Sequence, residues 1–141
     1  MAYEIDFRNE NGGSIKRLVW STDLHFDAAD RSQYNLYFDL LIAHEPDIVL
    51  IGGDISNGIA SFIHLQNMAK RVDKDIYFVL GNHDFYNGSI PVIRNEAKNI
   101  SSNSSSSLHY LPEVGIIELS EQTALIGHDG WSDAYAGDFI N

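Results

Sequence analysis

The chain has 141 residues, long enough for one domain with a real core, and with no cysteine it has neither a disulfide framework nor a thiolate metal site. Its formal net charge of −11 is the opposite of the basic surface that nucleic acid or anionic lipid needs, so neither is an expected partner. No apolar run reaches membrane-spanning length, and the polar start lacks a basic-then-apolar signal pattern; a cytoplasmic location without a membrane contact is the default expectation.

Residues 1–14 read as an irregular lead-in with a turn at Asn11-Gly12-Gly13. Residues 15–21 read as a first strand that runs into Thr22-Asp23-Leu24-His25-Phe26. Over 32–43 the apolar positions Tyr34, Leu36, Tyr37, Leu40, Leu41 and Ala43 predict a helix, with Ser32 as its cap and Pro46 closing it. Residues 48–51, Ile-Val-Leu-Ile, form a continuous apolar run bounded by Pro46 and Gly52-Gly53, the pattern of a strand buried on both faces. A second helix follows over 59–72, with Lys70 and Arg71 in its last turn, where cations suit the helix dipole.

Residues 76–80 predict a third buried strand, ending at Gly81-Asn82. Residues 90–98 predict a third helix with Pro91 in its first turn. The serine-rich stretch within 100–107 reads as a flexible loop. Beyond it, 108–111, 116–119 and 123–126 read as short strands, with Ser120-Glu121-Gln122 as a hairpin connection. The expected architecture is α/β: a βαβαβ start with parallel pairing and right-handed crossovers, then antiparallel strands beside it, all in a single domain over 1–141.

Three clusters sit at the ends of the three predicted strands: Asp23-Leu24-His25, Gly53-Asp54 and Gly81-Asn82-His83-Asp84. In open α/β sheets ligands bind outside the carboxyl ends of the strands. Carboxylates that end apolar strands need neutralising, and a divalent cation accepts oxygen and nitrogen donors together. On an extended segment Asp23 and His25, two apart, project to one side and can meet a single ion. Asp54 follows two glycines that let the backbone come close, and its two oxygens can bridge two cations. Asn82 offers a neutral amide oxygen. His83, facing differently, is placed to protonate a leaving oxygen, and Asp84 to orient it by accepting a hydrogen bond from its ring or from nearby backbone.

One aspartate after a strand is ordinarily a cap or turn residue, and a lone histidine ordinarily a surface or core residue. Three clusters at successive strand ends together point to a metal site. His44 and His64 fall on predicted helices and His109 has no supporting context, so none is assigned as a ligand. His128 and Asp129 follow another strand end and are a possible part of the cleft, a packed turn with Trp131 being the equal alternative.

These blocks resemble the signature of the calcineurin-like metallophosphoesterase superfamily: Asp-x-His, then Gly-Asp, then Gly-Asn-His-[Asp/Glu], a later lone His and Gly-His-x-His. The first three stand here, in order, as Asp23/His25, Gly53-Asp54 and Gly81-Asn82-His83-Asp84. The resemblance implies a two-sheet sandwich flanked by helices. It implies two divalent metal ions (Mn, Fe, Zn, Mg or Ni), with Asp23 and His25 on the first, Asp54 bridging, Asn82 on the second and His83 as acid. It also implies a metal-bridging hydroxide attacking phosphorus in line. The last two blocks are absent, since Gly127-His128-Asp129 carries Gly130 where the second histidine belongs. The expectation is therefore a truncated domain with impaired metal binding and catalysis, prone to self-association. Ile55-Ser56-Asn57-Gly58 after Asp54 departs from the Asp-Arg-Gly pattern of the phosphoprotein phosphatases, so the implied substrate is a small-molecule phosphomonoester or phosphodiester. The competing expectation is a non-catalytic protein-binding scaffold on the same fold.

Overall fold

The computed structural model describes residues 2–7, 16–102 and 107–130. Five strands, β1 (Ala2–Phe7), β2 (Lys16–Ser21), β3 (Ile48–Ile51), β4 (Asp75–Phe78) and β5 (Leu108–Tyr110), form one sheet in the order β1-β2-β3-β4-β5. The pairs β2–β3, β3–β4 and β4–β5 are parallel. Helices α1 (Arg31–Ala43), α2 (Ala60–Val72) and α3 (Ile90–Ser102) supply the three crossovers. A four-residue helix α4 (Leu111–Val114) follows β5, and β6 (Ile117–Ser120) pairs with β7 (Thr123–Leu125) as a separate antiparallel hairpin.

The period-two alternation of strands divides the side chains between two cores. Val19, Val49, Ile51, Ile76, Phe78, Leu108 and Tyr110 meet Phe38, Leu41, Phe62, Leu65, Met68, Ile93 and Ala97 of the helices in the larger one. On the opposite face Leu18 and Ile48 pack with Leu119 of the hairpin, and Leu50, Tyr77, Ile117 and Leu125 join them. Strands that bury both faces must be apolar throughout, as residues 48–51 are.

Three expectations are corrected here. The lead-in contains an edge strand, β1, antiparallel to β2 with Ala2 opposite Ser21 and Phe7 opposite Lys16. Tyr3, Ile5 and Phe7 alternate with Glu4 and Asp6, which is the period of a strand. Residues 108–110 join the main sheet in parallel with β4 instead of opening the antiparallel run, because α3 returns the chain across the sheet. Asp30, not Ser32, caps α1: its Oδ1 accepts from Ser32 N at 2.7 Å and Gln33 N at 2.9 Å, while Asp30 N donates to Gln33 Oε1 at 3.0 Å, closing a capping box.

The third helix also runs further than expected, to Ser102, whose Oγ donates to Lys98 O at 2.7 Å. The expected turn at Asn11-Gly12-Gly13 and positions 103–106 of the serine-rich stretch lie outside the described residues.

Candidate metal centre

The loops beyond β2 and β3 continue the ladder of the strands that precede them. Gly52 N donates to Ser21 O at 2.8 Å, Asp23 N to Gly53 O at 3.1 Å, His25 N to Asp54 O at 3.0 Å and Phe26 N to Ile55 O at 2.9 Å. The two segments therefore run side by side past the sheet edge and carry His25 beside Asp54. The segment is not extended, however: Asp23, His25 and Asp54 have φ of 55°, 43° and 51°, all in the left-handed region. A non-glycine residue there costs about 1–2 kcal/mol, less for aspartate, and such strain gathers at functional sites.

The third loop is a single 3-10 turn, His83–Phe85, that follows β4. His83 N donates to Asp54 Oδ1 at 2.9 Å. Its ring meets that of His25 edge to face at 4.5 Å between centroids, and lies 4.4 Å from that of Tyr86. His25, Asp54 and His83, all half-buried, thus present ligand atoms within 4.8 Å of one another. His83 belongs to this group by position, whereas the sequence reading gave it a proton and no metal.

The other expected site residues stand around the group in different ways. Asp23 is exposed and its Oδ2 accepts from Thr22 Oγ1 at 2.8 Å; it is not among the three gathered ligands. Asn82 donates Nδ2 to Tyr86 Oη at 3.1 Å, which leaves its amide oxygen as the atom able to meet a cation.

Asp84 is fully buried and does not orient the His83 ring in any described hydrogen bond. Its Oδ2 accepts from Gly81 N at 2.8 Å and Asp54 N at 2.9 Å. Its Oδ1 accepts from Ser61 Oγ at 2.6 Å, Ile55 N at 3.0 Å and Ser56 N at 3.3 Å. One carboxylate thereby clamps the β3 loop to the β4 loop. Burial pushes the Asp84 carboxyl above the ordinary aspartate range, and the Ser61, Gly81, Ser56 and Ile55 donors pull it back. Ser61, buried at the start of α2, carried no signal in the sequence; only the fold brings it under Asp84.

Two glycines let the loops meet. A Cβ on Gly53, at φ +94°, would lie 2.4 Å from Gly81 N, and one on Gly81 would lie 2.1 Å from Asp54 Oδ1 and 2.7 Å from Asp54 N. The space a side chain would fill at 81 is occupied by the carboxylate of the site itself.

Asp129 does not line the cleft. It is 5 % exposed, its Oδ1 accepts from Leu80 N at 3.0 Å, and its Oδ2 meets Arg94 Nε at 3.2 Å and the Tyr110 hydroxyl. It anchors the backbone one residue before Gly81, so its effect on the site runs through the main chain. His128 Nδ1 lies 3.1 Å from Asp129 O. Trp131 falls outside the described residues. His64 packs on Phe26 and Tyr34, and His109 holds Asp75 at 2.7 Å and stacks on Tyr77; neither joins the group.

Two imidazoles and one carboxylate make a mixed nitrogen–oxygen donor set, which suits borderline and hard divalent cations such as those of manganese, iron and zinc. The donors lie where glycine lets the β3 and β4 loops come into contact. No curated protein and no solved structure matches the chain. The family model described as calcineurin-like phosphoesterase matches residues 16–140, which takes in every residue of the metal-capable group and all the strands after β1. The parallel sheet, its crossover helices and that match agree: the chain belongs to the calcineurin-like phosphoesterase family.

Proposed function

We propose that the chain carries the site of a metal-dependent phosphoester hydrolase that uses two divalent cations and acts on a small-molecule phosphomonoester or phosphodiester. The observation that carries this reading is the gathering of His25, Asp54 and His83, two cation donors and the proposed acid, at the carboxyl ends of β2, β3 and β4. His25 and Asp54 would hold the cations, with the Asn82 oxygen and the exposed Asp23 completing the donors. When bound, the cations supply an acidified water and offset the charge of the phosphoryl oxygens.

The protein's own residues do the rest. Asp84 fixes the distance between the Asp54 and Gly81 loops. His83, tied through its backbone to Asp54, holds an imidazole proton where an ester oxygen leaving the phosphoryl group can take it. Its ring is steadied by His25 and Tyr86. Among the described residues these donors are fewer than two fully coordinated cations need, so weak binding of at least one cation is expected, and assays need millimolar metal.

The test is hydrolysis of bis(p-nitrophenyl) phosphate and p-nitrophenyl phosphate with Mn²⁺ in excess. His83→Ala is expected to lower kcat by about 10²–10⁴ with metal content retained, as for loss of a general acid. Asp54→Asn is expected to lose the metal itself. Absence of turnover together with absence of bound metal by elemental analysis favours the non-catalytic scaffold and overturns the proposal.

A further inference from the structure

An open cleft of about 360 Å³ lies against the metal-capable group and shares His25 with it; Leu24, Phe26, Ala28, Ala29, Gln33 and Tyr37 form the rest of its walls. We infer that this cleft is the subsite for the organic group of the phosphoester, and that it selects a flat apolar ring or short alkyl group over a sugar or a second charged group. The inference rests on the phosphoesterase reading for the position of the phosphoryl group, and adds which substrates the site accepts.

The walls carry the argument. Leu24, Phe26, Ala28 and Ala29 give the cleft an apolar wall, and among the described residues that line it there is no carboxylate, lysine or arginine. Gln33 Oε1 accepts from Asp30 N, which leaves its NH₂ group as the one side-chain amide donor on the wall, too few partners for the several hydroxyls of a polyol. The Phe26 and Tyr37 rings stand at 70° to one another, 5.5 Å apart, and Phe26 also packs on Tyr34, Phe38 and His64, which holds this apolar wall of the cleft rigid. Ala28 and Ala29, whose N–H groups both donate to His25 O, put methyls where longer side chains would close the space. The volume falls in the range of small-ligand pockets. The backbone bonds from His25 and Phe26 to Asp54 and Ile55 fix these walls relative to the metal-capable group, so a ligand with phosphorus beside His25 can place its substituent here.

The experiment compares phenylphosphonate with methylphosphonate, two non-hydrolysable probes that differ only in the group the cleft would take. Each is titrated into the full chain with Mg²⁺ present, followed by the methyl NMR signals of Leu24, Ala28 and Ala29. Phenylphosphonate is expected to bind roughly ten- to a hundredfold more tightly, the gain available from burying one aromatic ring, and to shift those methyls. Ala28→Trp, at an exposed position that tolerates a large side chain, is expected to bring phenylphosphonate down to the affinity of methylphosphonate. Equal affinities in the unmodified chain, no shift of these methyls by either probe, or a phenyl preference that survives Ala28→Trp would each overturn the inference. Preference without turnover of any ester would remove the phosphoesterase reading and keep the cleft; turnover without preference would do the reverse.

Discussion

Replacing Asp84 by asparagine keeps the shape of the clamp and changes one oxygen to an NH₂ group. Two backbone donors, Asp54 N and Gly81 N, converge on Oδ2, and three donors, Ile55 N, Ser56 N and Ser61 Oγ, on Oδ1. The amide therefore turns its nitrogen toward the smaller set, leaving the Asp54 and Gly81 N–H groups facing a donor. Each orphaned buried donor costs about 1–3 kcal/mol, and the remaining bonds lose their charge assistance. The sum is a stability loss of about 3 kcal/mol or more, read as a fall in the urea midpoint at constant m-value. The two freed N–H groups belong to the residues whose spacing sets the metal-capable group, so Mn²⁺ affinity by calorimetry should also fall, by about 10–100-fold, as when outer partners of metal ligands are removed. An Asp84→Asn protein within about 0.5 kcal/mol of the parent, with unchanged Mn²⁺ affinity, would refute the clamp.

Gly81→Ala should reduce Mn²⁺ binding and lower stability by about 1–3 kcal/mol through overpacking against Asp54, whereas Gly130→Ala, where a Cβ meets nothing within 4 Å, should do neither; thermal melts and calorimetry compare them. Burial lowers the His64 pKa below its ordinary value, against a smaller upward pull from Asp27. The unfolded chain then binds the His64 proton more readily, so this histidine's contribution is full above pH 6.5 and is lost as pH falls through the lowered native pKa. His64→Phe should flatten that part of the stability profile, and an identical acid limb in the variant would exclude His64 as its source. Asp129→Ala should cost about 3 kcal/mol by orphaning Leu80 N, Tyr110 and Arg94, more than Arg94→Ala at its partly exposed position; the reverse order in urea melts would count against Asp129 as the anchor. Asp23→Gly should raise stability by no more than about 0.5 kcal/mol, because aspartate tolerates the left-handed backbone and glycine loosens the unfolded chain; a gain of about 2 kcal/mol in Tm-derived stability would show real strain at this position.

The apolar runs 48–51 and 76–80 and the helices between them were legible because burial on both faces, or on one stripe, writes itself into composition. The three polar clusters stood out for the same reason: each interrupts an apolar strand at its end. What escaped depended on partners remote in sequence. Asp30 and Ser32 are equally good cap types, and only the backbone decides between them. Asp84 reads as a neighbour of His83, yet its donors come from Ile55, Ser56 and Ser61 some 23 to 29 residues away. Asp23 and His25 were placed on one side of an extended segment, a rule of strand geometry that fails once both residues turn left-handed. Asp129 drew attention by standing after a histidine at a strand end, and no local feature marks the Leu80 amide it serves.

Directed evolution of this chain for heat resistance would meet a conflict at those same left-handed positions. Glycine at 25 would ease the main chain and, on the proposed reading, delete a donor to the cation, whereas glycine at 54 would also orphan the His83 N–H that the carboxylate accepts, so a change that helps melting temperature at 25 would weaken the proposed metal site. Screens that select on heat alone should accumulate changes at 25, and a library that holds residue 25 fixed should show how much hardening is compatible with the proposed metal site.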